Sequence, residues 1–529
     1  MKRSGVVYLV GAGPGDPGLI TVKGAAALRA ADVVVYDHLV SPRLLDSCRP
    51  GTDVIYVGKE HGRHTKTQDE INDLLVRRAK LGKTVVRLKG GDPVLFGRAG
   101  EEALALSSAR VAYEIVPGVT SALAVPAYAG IPVTHRELSS SVAIVTGHED
   151  ADKDTSTVRW SQLAGADTLV CLMGVLGLPS IARRLIEHGR KASTPCAVIR
   201  WGTTAAQQTV VGTLATIAER CRAAGVRPPA VVVIGDVVRL RKRLNWFERR
   251  PLFGWRIVVT RPAERADVLA RLLEAAGASV EVLPAVVLEP VHANGVFHET
   301  LGMLDRIDWV FFTSPESIRQ LRRQLAAERK DLRILLGRHI GAIGPKTAES
   351  IHEMGIHVDF TPATFTQDGM LHGLARRQLA GKRAVIFGSA QGRDALEQGL
   401  RARGMDVRRV PLYRPAAPPE LATRLRRVLS ERVDLVTVTS SSCVEHLVDA
   451  LKTCGMSRSL PRLRFASIGP VTTAAVRQRG GVVAVEASSS TVEGLVEAIV
   501  DAAQRNAIAP SGRAPLVRRG RSQVRERGG

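Results

Sequence analysis

The stretch Val6-Val7-Tyr8-Leu9-Val10-Gly11-Ala12-Gly13-Pro14-Gly15-Asp16-Pro17-Gly18 decides how the first half of the chain is read. Five β-branched or bulky apolar residues predict a buried strand, and the glycines after it let the backbone turn sharply and approach a ligand closely. A second strand follows at Val33–Tyr36 and ends beside Asp37. That is where a ribose-binding acid of a dinucleotide fold would stand. The third glycine of GxGxxG, however, falls on Asp16, and Pro14 and Pro17 lack the amide donors that a pyrophosphate needs. These departures weaken the dinucleotide reading, and the turn reads as a loop that lets a ligand approach the backbone closely.

Outward from that turn the same alternation continues. Thr84–Leu88, Val142–Thr146, Leu169–Met173 and Val231–Ile234 read as strands between Ala/Leu/Arg-rich helical stretches. So do Ile257–Thr260, Trp309–Thr313, Ala384–Phe387 and Leu435–Thr439. Strand and helix in alternation predict an α/β chain with mainly parallel sheets. The basic, proline-bearing stretch Arg239–Trp255 separates two such series. The second series repeats itself. GWRIVVTRPAERADVLARLLEAAGASVEVLP from Gly254 returns as GKRAVIFGSAQGRDALEQGLRARGMDVRRVP from Gly381, DWVFFTSPESI from Asp308 as DLVTVTSSSCV from Asp434, and IGAIGPKTAESIHEMG from Ile340 as FASIGPVTTAAVRQRG from Phe465. Each pair is offset by about 125 residues and the order is kept, which predicts two similar lobes with a cleft between them.

Composition narrows the class. The chain has 529 residues, 45% hydrophobic and 24% charged, as in globular proteins of several domains. No apolar run approaches the roughly 20 residues that cross a bilayer, and the start lacks a signal-peptide pattern. Cys48, Cys171, Cys196, Cys221, Cys443 and Cys454 show no CxxC spacing, so neither a zinc site nor a disulfide framework is expected, and no metal. A reducing, cytoplasmic setting is expected. The net charge of +23 invites a polyanion. Nucleic acid is the plainest such partner, but aromatics make up only 4% and no nucleic-acid-binding motif is present. From Arg505 onward seven Arg and one Glu form an aperiodic tail, read as a disordered segment over 504–529.

The first half resembles the uroporphyrinogen-III C-methyltransferases. The resemblance is carried by GAGPGDPGLITVKGAAALRAADVVVYDHLV (Gly11–Val40), YVGKEHGRHTKTQDEIN (Tyr56–Asn72), VVRLKGGDPVLFGRAGEE (Val85–Glu102) and VPGVTSALAVPAYAGIPVTHR (Val116–Arg136). VTGH (Val145–His148) and PPAVVVIGDVVRLRKRLNWF (Pro228–Phe247) extend it over nearly all of 1–248. It implies a tetrapyrrole methylase of two α/β subdomains, here about 1–136 and 140–248, acting as a homodimer through this half. Such an enzyme transfers methyl groups from S-adenosylmethionine to C2 and then C7 of uroporphyrinogen III, giving precorrin-2 and S-adenosylhomocysteine. The family pattern puts cofactor contacts at Pro14, Gly90, Gly91, Asp92, Leu95, Thr120, Ser121, Met173 and Gly202, with Asp92 able to pair with the cofactor's ammonium. It puts a proton acceptor at Asp37 and a proton donor at Lys59. Arg87, Lys89, His135, Arg136 and His148 are candidate partners for the substrate's eight carboxylates, a task that suits arginine forks. Each has a plainer reading: Gly-Gly-Asp-Pro as a turn, Met173 as core, Asp37 as a helix cap, Lys59 as surface charge.

After a linker at 249–253, residues 254–503 resemble uroporphyrinogen-III synthase. The landmarks are VVTRP (Val258–Pro262), FFTSPES (Phe311–Ser317), AIGPKTAES (Ala342–Ser350), VPLYRP (Val410–Pro415), VTSSS (Val438–Ser442), SIGPVTTAA (Ser467–Ala475) and STVEGLVEAI (Ser490–Ile499). The family builds one lobe from both ends of the segment, here about 254–287 with 416–503, and the other from its middle, 288–415. The resemblance implies closure of hydroxymethylbilane to uroporphyrinogen III with inversion of ring D and loss of water, without a cofactor. Hydroxyls at loop tips suit acetate and propionate groups, which selects Thr313, Ser314, Thr347, Ser440, Ser441 and Thr472. For any one of these the plainer reading is turn or helix-cap duty. Tyr413 matches the family's recurring tyrosine as a proton donor to the departing hydroxyl. Two departures, Phe387-Gly388-Ser389-Ala390 before Gly392-Arg393 and Ser314-Pro315-Glu316-Ser317 without the usual Asn, leave an inactive tetrapyrrole-binding module as the alternative for this half. Siroheme synthases carry a dehydrogenase and ferrochelatase module before the methylase. Here the methylase pattern starts within the first ten residues, so neither oxidation nor iron insertion is expected, and the sequence does not choose between siroheme and cobalamin as the product's destination.

Overall fold

The computed structural model describes residues 5–58, 66–147, 158–291, 295–391 and 394–510. Contacts divide the chain into two compact units, Met1–Arg256 with Leu273–Ser279, and Ile257–Leu272 with Val280–Gly529.

In the first unit the β-branched runs become strands β1 (Val6–Gly11), β2 (Val33–Tyr36), β3 (Asp53–Tyr56), β4 (Thr84–Lys89) and β5 (Ala112–Val116). They pair in the order β3-β2-β4-β1-β5, all parallel. Alternate residues of each strand feed opposite faces. Val7, Leu9, Val33 and Val35 pack with Ile71, Leu75 and Leu106 of the helices Gln68–Lys80 and Ala99–Ser108. Val10, Val34, Val86 and Leu88 pack on the other side against Ala27 and Leu28 of the helix Val22–Ala30. Helices on both faces explain why β1, VVYLVG, is apolar throughout rather than alternating. The helix Gln68–Lys80 starts with a capping box, in which the Thr67 side chain receives the Glu70 amide and Glu70 receives the Thr67 amide. Leu75 is fully buried, and its truncation to Ala would cost about 2–5 kcal/mol.

A second sheet holds β6 (Val142–Thr146), β7 (Thr168–Leu172), β8 (Pro195–Arg200), β9 (Gln208–Thr213) and β10 (Ala230–Ile234) in the order β6-β7-β10-β8-β9. Here the expectation of a mainly parallel sheet does not hold. Only β6 and β7 run parallel, whereas β10 opposes both β7 and β8, and β8 opposes β9. The connection from β8 to β9, residues 201–207, is too short for a parallel crossover and forces the antiparallel pair.

In the second unit β11 (Arg256–Val259) and β12 (Ser279–Val282) begin a third sheet. The chain then builds a fourth from β13 (Val287–Pro290), β14 (Trp309–Phe312), β15 (His339–Ala342), β16 (Arg383–Ser389) and β17 (Asp406–Ala416), and returns to the third with β18 (Leu435–Val438), β19 (Arg464–Ser467) and β20 (Val482–Glu486). The orders are β12-β11-β18-β19-β20 and β13-β17-β16-β14-β15. In the third sheet β11, β18, β19 and β20 are parallel, and in the fourth only β13 opposes its neighbour. Among the described residues no helix is long and apolar enough to cross a membrane.

Candidate functional site

Because β1, β2, β4 and β5 are parallel, the loops after them leave the sheet at one edge, where parallel α/β sheets place ligands. Glycines let these loops touch. Gly13 and Gly91 exchange backbone hydrogen bonds at 3.2 and 2.7 Å. A Cβ on Gly11 would lie 2.5 Å from the Gly118 Cα, and one on Gly90 would lie 2.6 Å from the Leu39 side chain. A Cβ on Gly202, after β8, would strike Val125 at 2.3 Å. Finally the Asp16 amide donates to the Thr203 hydroxyl at 3.0 Å, which ties the first glycine loop to the loop after β8. Pro14, Asp37, Gly90, Gly91, Asp92, Leu95, Thr120, Ser121 and Gly202 all stand on these mutually packed segments.

Backbone strain concentrates in the same place. Phe96, Arg98, Met173, Trp201 and Thr203 all adopt positive φ, between +47° and +69°, although none is glycine. Such conformations persist where surrounding structure imposes them, and they gather at ligand sites. Met173 stands just after β7 and is 52% exposed, which removes the core reading of that side chain. Asp92 also builds the loop: its carboxylate accepts the amides of Val94, Leu95 and Gly118 at 2.8, 3.0 and 3.0 Å. Thr120 likewise caps the helix Ser121–Tyr128 through the Ala122 amide.

Asp37 is half-buried at the end of β2. Its Oδ1 accepts the Leu39 amide, and its Oδ2 lies 3.4 Å from Arg87. Arg87 and Lys89 were expected to meet substrate carboxylates, but β4 buries them to 4% and 5% exposure. Arg87 donates through Nε to Glu102 and through its other nitrogens to the Val35 and Leu88 carbonyls and Asp37. Lys89 donates to Glu102 at 2.9 Å. The carbonyl and carboxylate partners exist because a buried guanidinium must be hydrogen-bonded. Burial first, and the Arg87 charge second, lower the Lys89 pKa from its ordinary value. Arg136 remains exposed on the turn after Thr134, and His135 is half-buried beside it. Lys59 and His148 lie outside the described residues.

In the second unit the chosen hydroxyls again follow strand ends. Thr313 and Ser314 follow β14; Ser440 and Ser441 follow β18. All four are half-buried. Ser314 caps the helix Pro315–Ala327 by accepting the Ser317 amide, and Ser440 caps Ser441–Thr453 through the Cys443 amide. The capping duty and a ligand duty are compatible, since each hydroxyl stands at a helix N-terminus that favours anions. Thr347 and Thr472 occupy equivalent places in the repeat, third in the helices Pro345–His352 and Pro470–Gln478, yet are only 3% and 4% exposed. Their side chains belong to the packing rather than to a ligand surface. Tyr413, on β17, is 8% exposed and its hydroxyl lies 2.9 Å from Ser314 Oγ.

Residues 6–218 match the tetrapyrrole (corrin/porphyrin) methylase family, and residues 267–497 match the uroporphyrinogen-III synthase HemD family. Along nearly its full length the chain is similar to the porphyrin biosynthesis protein HemD of Ruminiclostridium josui, 34% identical over 500 residues that cover 94% of this chain and 98% of the relative. The chain belongs to the tetrapyrrole-biosynthesis family that joins a uroporphyrinogen-III C-methyltransferase to a uroporphyrinogen-III synthase. Its first half is also 51% identical over 238 residues to the uroporphyrinogen-III C-methyltransferase of Methanocaldococcus jannaschii, covering 45% of this chain and 98% of the relative. A solved uroporphyrin-III C-methyltransferase from Thermus thermophilus, in complex with S-adenosylhomocysteine, is 43% identical with a TM-score of 0.39, covering 44% of this chain and 99% of that one.

Within this methyltransferase half, sequence reasoning passed over Asp16, Tyr128, Thr203 and Glu102. The Tyr128 hydroxyl donates to Asp16 at 2.7 Å, and burial and that carboxylate together raise the Tyr128 pKa. Contacts between residues 112 apart leave no local pattern to read. Glu102 did leave one, because it lies on the helix stripe of Ala99, Ala103 and Leu106, where an apolar residue belongs.

Proposed function

We propose that the chain transfers methyl groups from S-adenosylmethionine to C2 and then C7 of uroporphyrinogen III, giving precorrin-2, and that its second half supplies that substrate by closing hydroxymethylbilane with inversion of ring D. The observation that carries the first activity is the convergence of the loops after β1, β4, β5 and β8, with Asp37 on the adjoining loop after β2. These loops offer close backbone approach and apolar surface, and Met173, just after β7, is half exposed, a set suited to adenosine and methionine rather than to phosphate.

S-adenosylmethionine, when bound, supplies an electrophilic methyl on a charged sulfur. Pro14, Gly90, Gly91, Leu95, Thr120, Ser121, Met173 and Gly202 hold it, while Asp92 shapes the loop on which several of them stand. Holding the pyrrole carbon in line with that methyl supplies much of the rate. The methylated carbon becomes quaternary and carries no hydrogen, so Asp37 Oδ2 takes the proton that the macrocycle loses elsewhere to neutralise the added charge, and Arg87 keeps that carboxylate oriented. Lys59 is the proposed proton donor. Arg136 and His135 are left to meet the substrate's carboxylates, because Arg87 and Lys89 are spent on Glu102.

In the second half, Thr313, Ser314, Ser440 and Ser441 bind acetate and propionate groups. Tyr413 donates a proton to the hydroxyl that leaves the bilane, and the protein then guides which carbon closes the ring. Burial of Thr347 and Thr472 narrows the binding set. The second reading is a half that binds the tetrapyrrole without cyclising it. Assembly as a homodimer through the methylase half and a cytoplasmic setting complete the proposal. The test is to supply hydroxymethylbilane with and without S-adenosylmethionine and follow products by absorbance and mass. Uroporphyrinogen III without the donor, and a dimethylated macrocycle plus S-adenosylhomocysteine with it, support both activities. Uroporphyrinogen I, the spontaneous product, would leave only the second reading of the C-terminal half.

A further inference from the structure

Beside Asp37 lies a buried charge cluster. Arg87 and Lys89, two apart on β4, share one face of the strand, and both reach Glu102 on the helix Ala99–Ser108. A single oxygen, Glu102 Oε1, receives Arg87 Nε at 3.1 Å, Lys89 Nζ at 2.9 Å and Gln68 Nε2 at 3.3 Å. Glu102 has no exposed surface, and its Oε2 has no hydrogen-bond partner among the described residues. Stability alone is a poor reason for this arrangement, since apolar residues in place of a buried ion cluster are often as stable or more so. The geometry has another effect. With Nε on Glu102 and one terminal nitrogen on the Val35 and Leu88 carbonyls, the remaining terminal nitrogen of Arg87 is the one aimed at Asp37 Oδ2.

We propose that Glu102 is a positioning residue for Asp37: it fixes the Arg87 guanidinium so that one N–H group orients the Asp37 carboxylate, with Lys89 holding the far side of the same oxygen. This rests on the reading of Asp37 as proton acceptor. Burial and the Arg87 charge disfavour the Lys89 ammonium, and its 2.9 Å hydrogen bond to Glu102 opposes them.

The test is a double-mutant cycle in the full-length protein, reading kcat and KM of methyl transfer to uroporphyrinogen III, together with the Kd of S-adenosylhomocysteine by calorimetry. Glu102→Gln is expected to lower kcat about tenfold or more while the Kd and KM stay within about threefold. In the Asp37→Asn background the same change is expected to add less than about threefold, because the two residues act as one unit. Glu187→Gln, an exposed carboxylate paired with Arg183 on the helix Leu178–Glu187, should keep the wild-type rate. Where Glu102→Gln no longer binds S-adenosylhomocysteine, Lys89→Met/Glu102→Gln, which removes one cation along with the anion, carries the cycle instead. Full kcat in the Glu102 variant, or losses that multiply with Asp37→Asn, overturns the inference. A wild-type protein that transfers no methyl group overturns the reading of the site beneath it, so the two failures are separable.

Discussion

The hydroxyl of Tyr413 lies 2.9 Å from Oγ of Ser314, the residue that caps the helix Pro315–Ala327. The two are 99 residues apart, on β17 and after β14, which are separated in the sheet by β16. A buried phenol thus meets a half-buried hydroxyl at a helix N-terminus. Tyr413→Phe removes that hydrogen bond at little change in volume and should cost about 0.5–1.5 kcal/mol of stability. Its larger expected effect is on cyclisation, about 10²-fold in kcat if the phenol delivers the proton to the leaving hydroxyl. Thermal melting and a coupled hydroxymethylbilane assay separate the two effects. Unchanged kcat with the stability loss alone would reduce Tyr413 to packing.

Asp37→Asn should lower methyl transfer about 10²-fold or more, while S-adenosylhomocysteine binds as before. The asparagine keeps the size of the side chain and can still accept the Leu39 amide, but it cannot take up a proton from the macrocycle. Loss of binding in step with loss of rate would instead make Asp37 a structural cap.

Gly118→Ala tests the close approach of the loops. Its Cβ would lie 2.4 Å from the Gly91 oxygen and 2.7 Å from the Gly11 Cα, all backbone, so no side chain can swing away. The loops must separate, at a cost of about 1–3 kcal/mol. S-adenosylhomocysteine affinity should fall with it, by about tenfold for each 1.4 kcal/mol lost from the bound geometry. Calorimetry and a denaturant titration read the two quantities. Wild-type affinity would show that the meeting of these loops does not shape the ligand site.

The Tyr128–Asp16 contact has a pH signature. The Tyr128 pKa is raised above its ordinary 10.0 by burial first and by the Asp16 hydrogen bond second, with Arg250 opposing. The folded state therefore holds this proton more tightly than the unfolded one. The stabilisation is complete below about pH 10 and fades as pH rises towards the raised value. In Tyr128→Phe the stability of the methylase half should be lower near neutrality and should decline less between pH 9 and higher pH, as read by denaturant midpoints along a pH series. Parallel curves for the two proteins would contradict the assignment.

The α/β class, the strands and the hydroxyl-bearing strand ends were legible because they depend on local pattern. VVYLV at Val6–Val10, with Val7, Leu9 and Val10 buried, reads as little else than a strand. The antiparallel turn of β8 into β9 was not legible, because residue type does not report strand direction. Nor was the burial of Arg87 and Lys89: two cations in a strand read as a binding face until Glu102, 13 to 15 residues on, is seen to absorb both. Thr347 and Thr472 misled for a related reason. The repeat marks them as equivalent, but equivalence in a repeat can come from packing as easily as from function.

The central claim is that one crevice, framed by the loops after β1, β2, β4, β5 and β8, brings a methyl donor and a tetrapyrrole carbon together beside Asp37. The most direct measurement incubates the full-length protein with uroporphyrinogen III and methyl-labelled S-adenosylmethionine, and follows label and mass in the isolated macrocycle. The account predicts two labelled methyl groups per macrocycle with wild-type protein and almost none with Asp37→Asn. A macrocycle that gains no label from the wild-type protein, or equal labelling by both proteins, would contradict it.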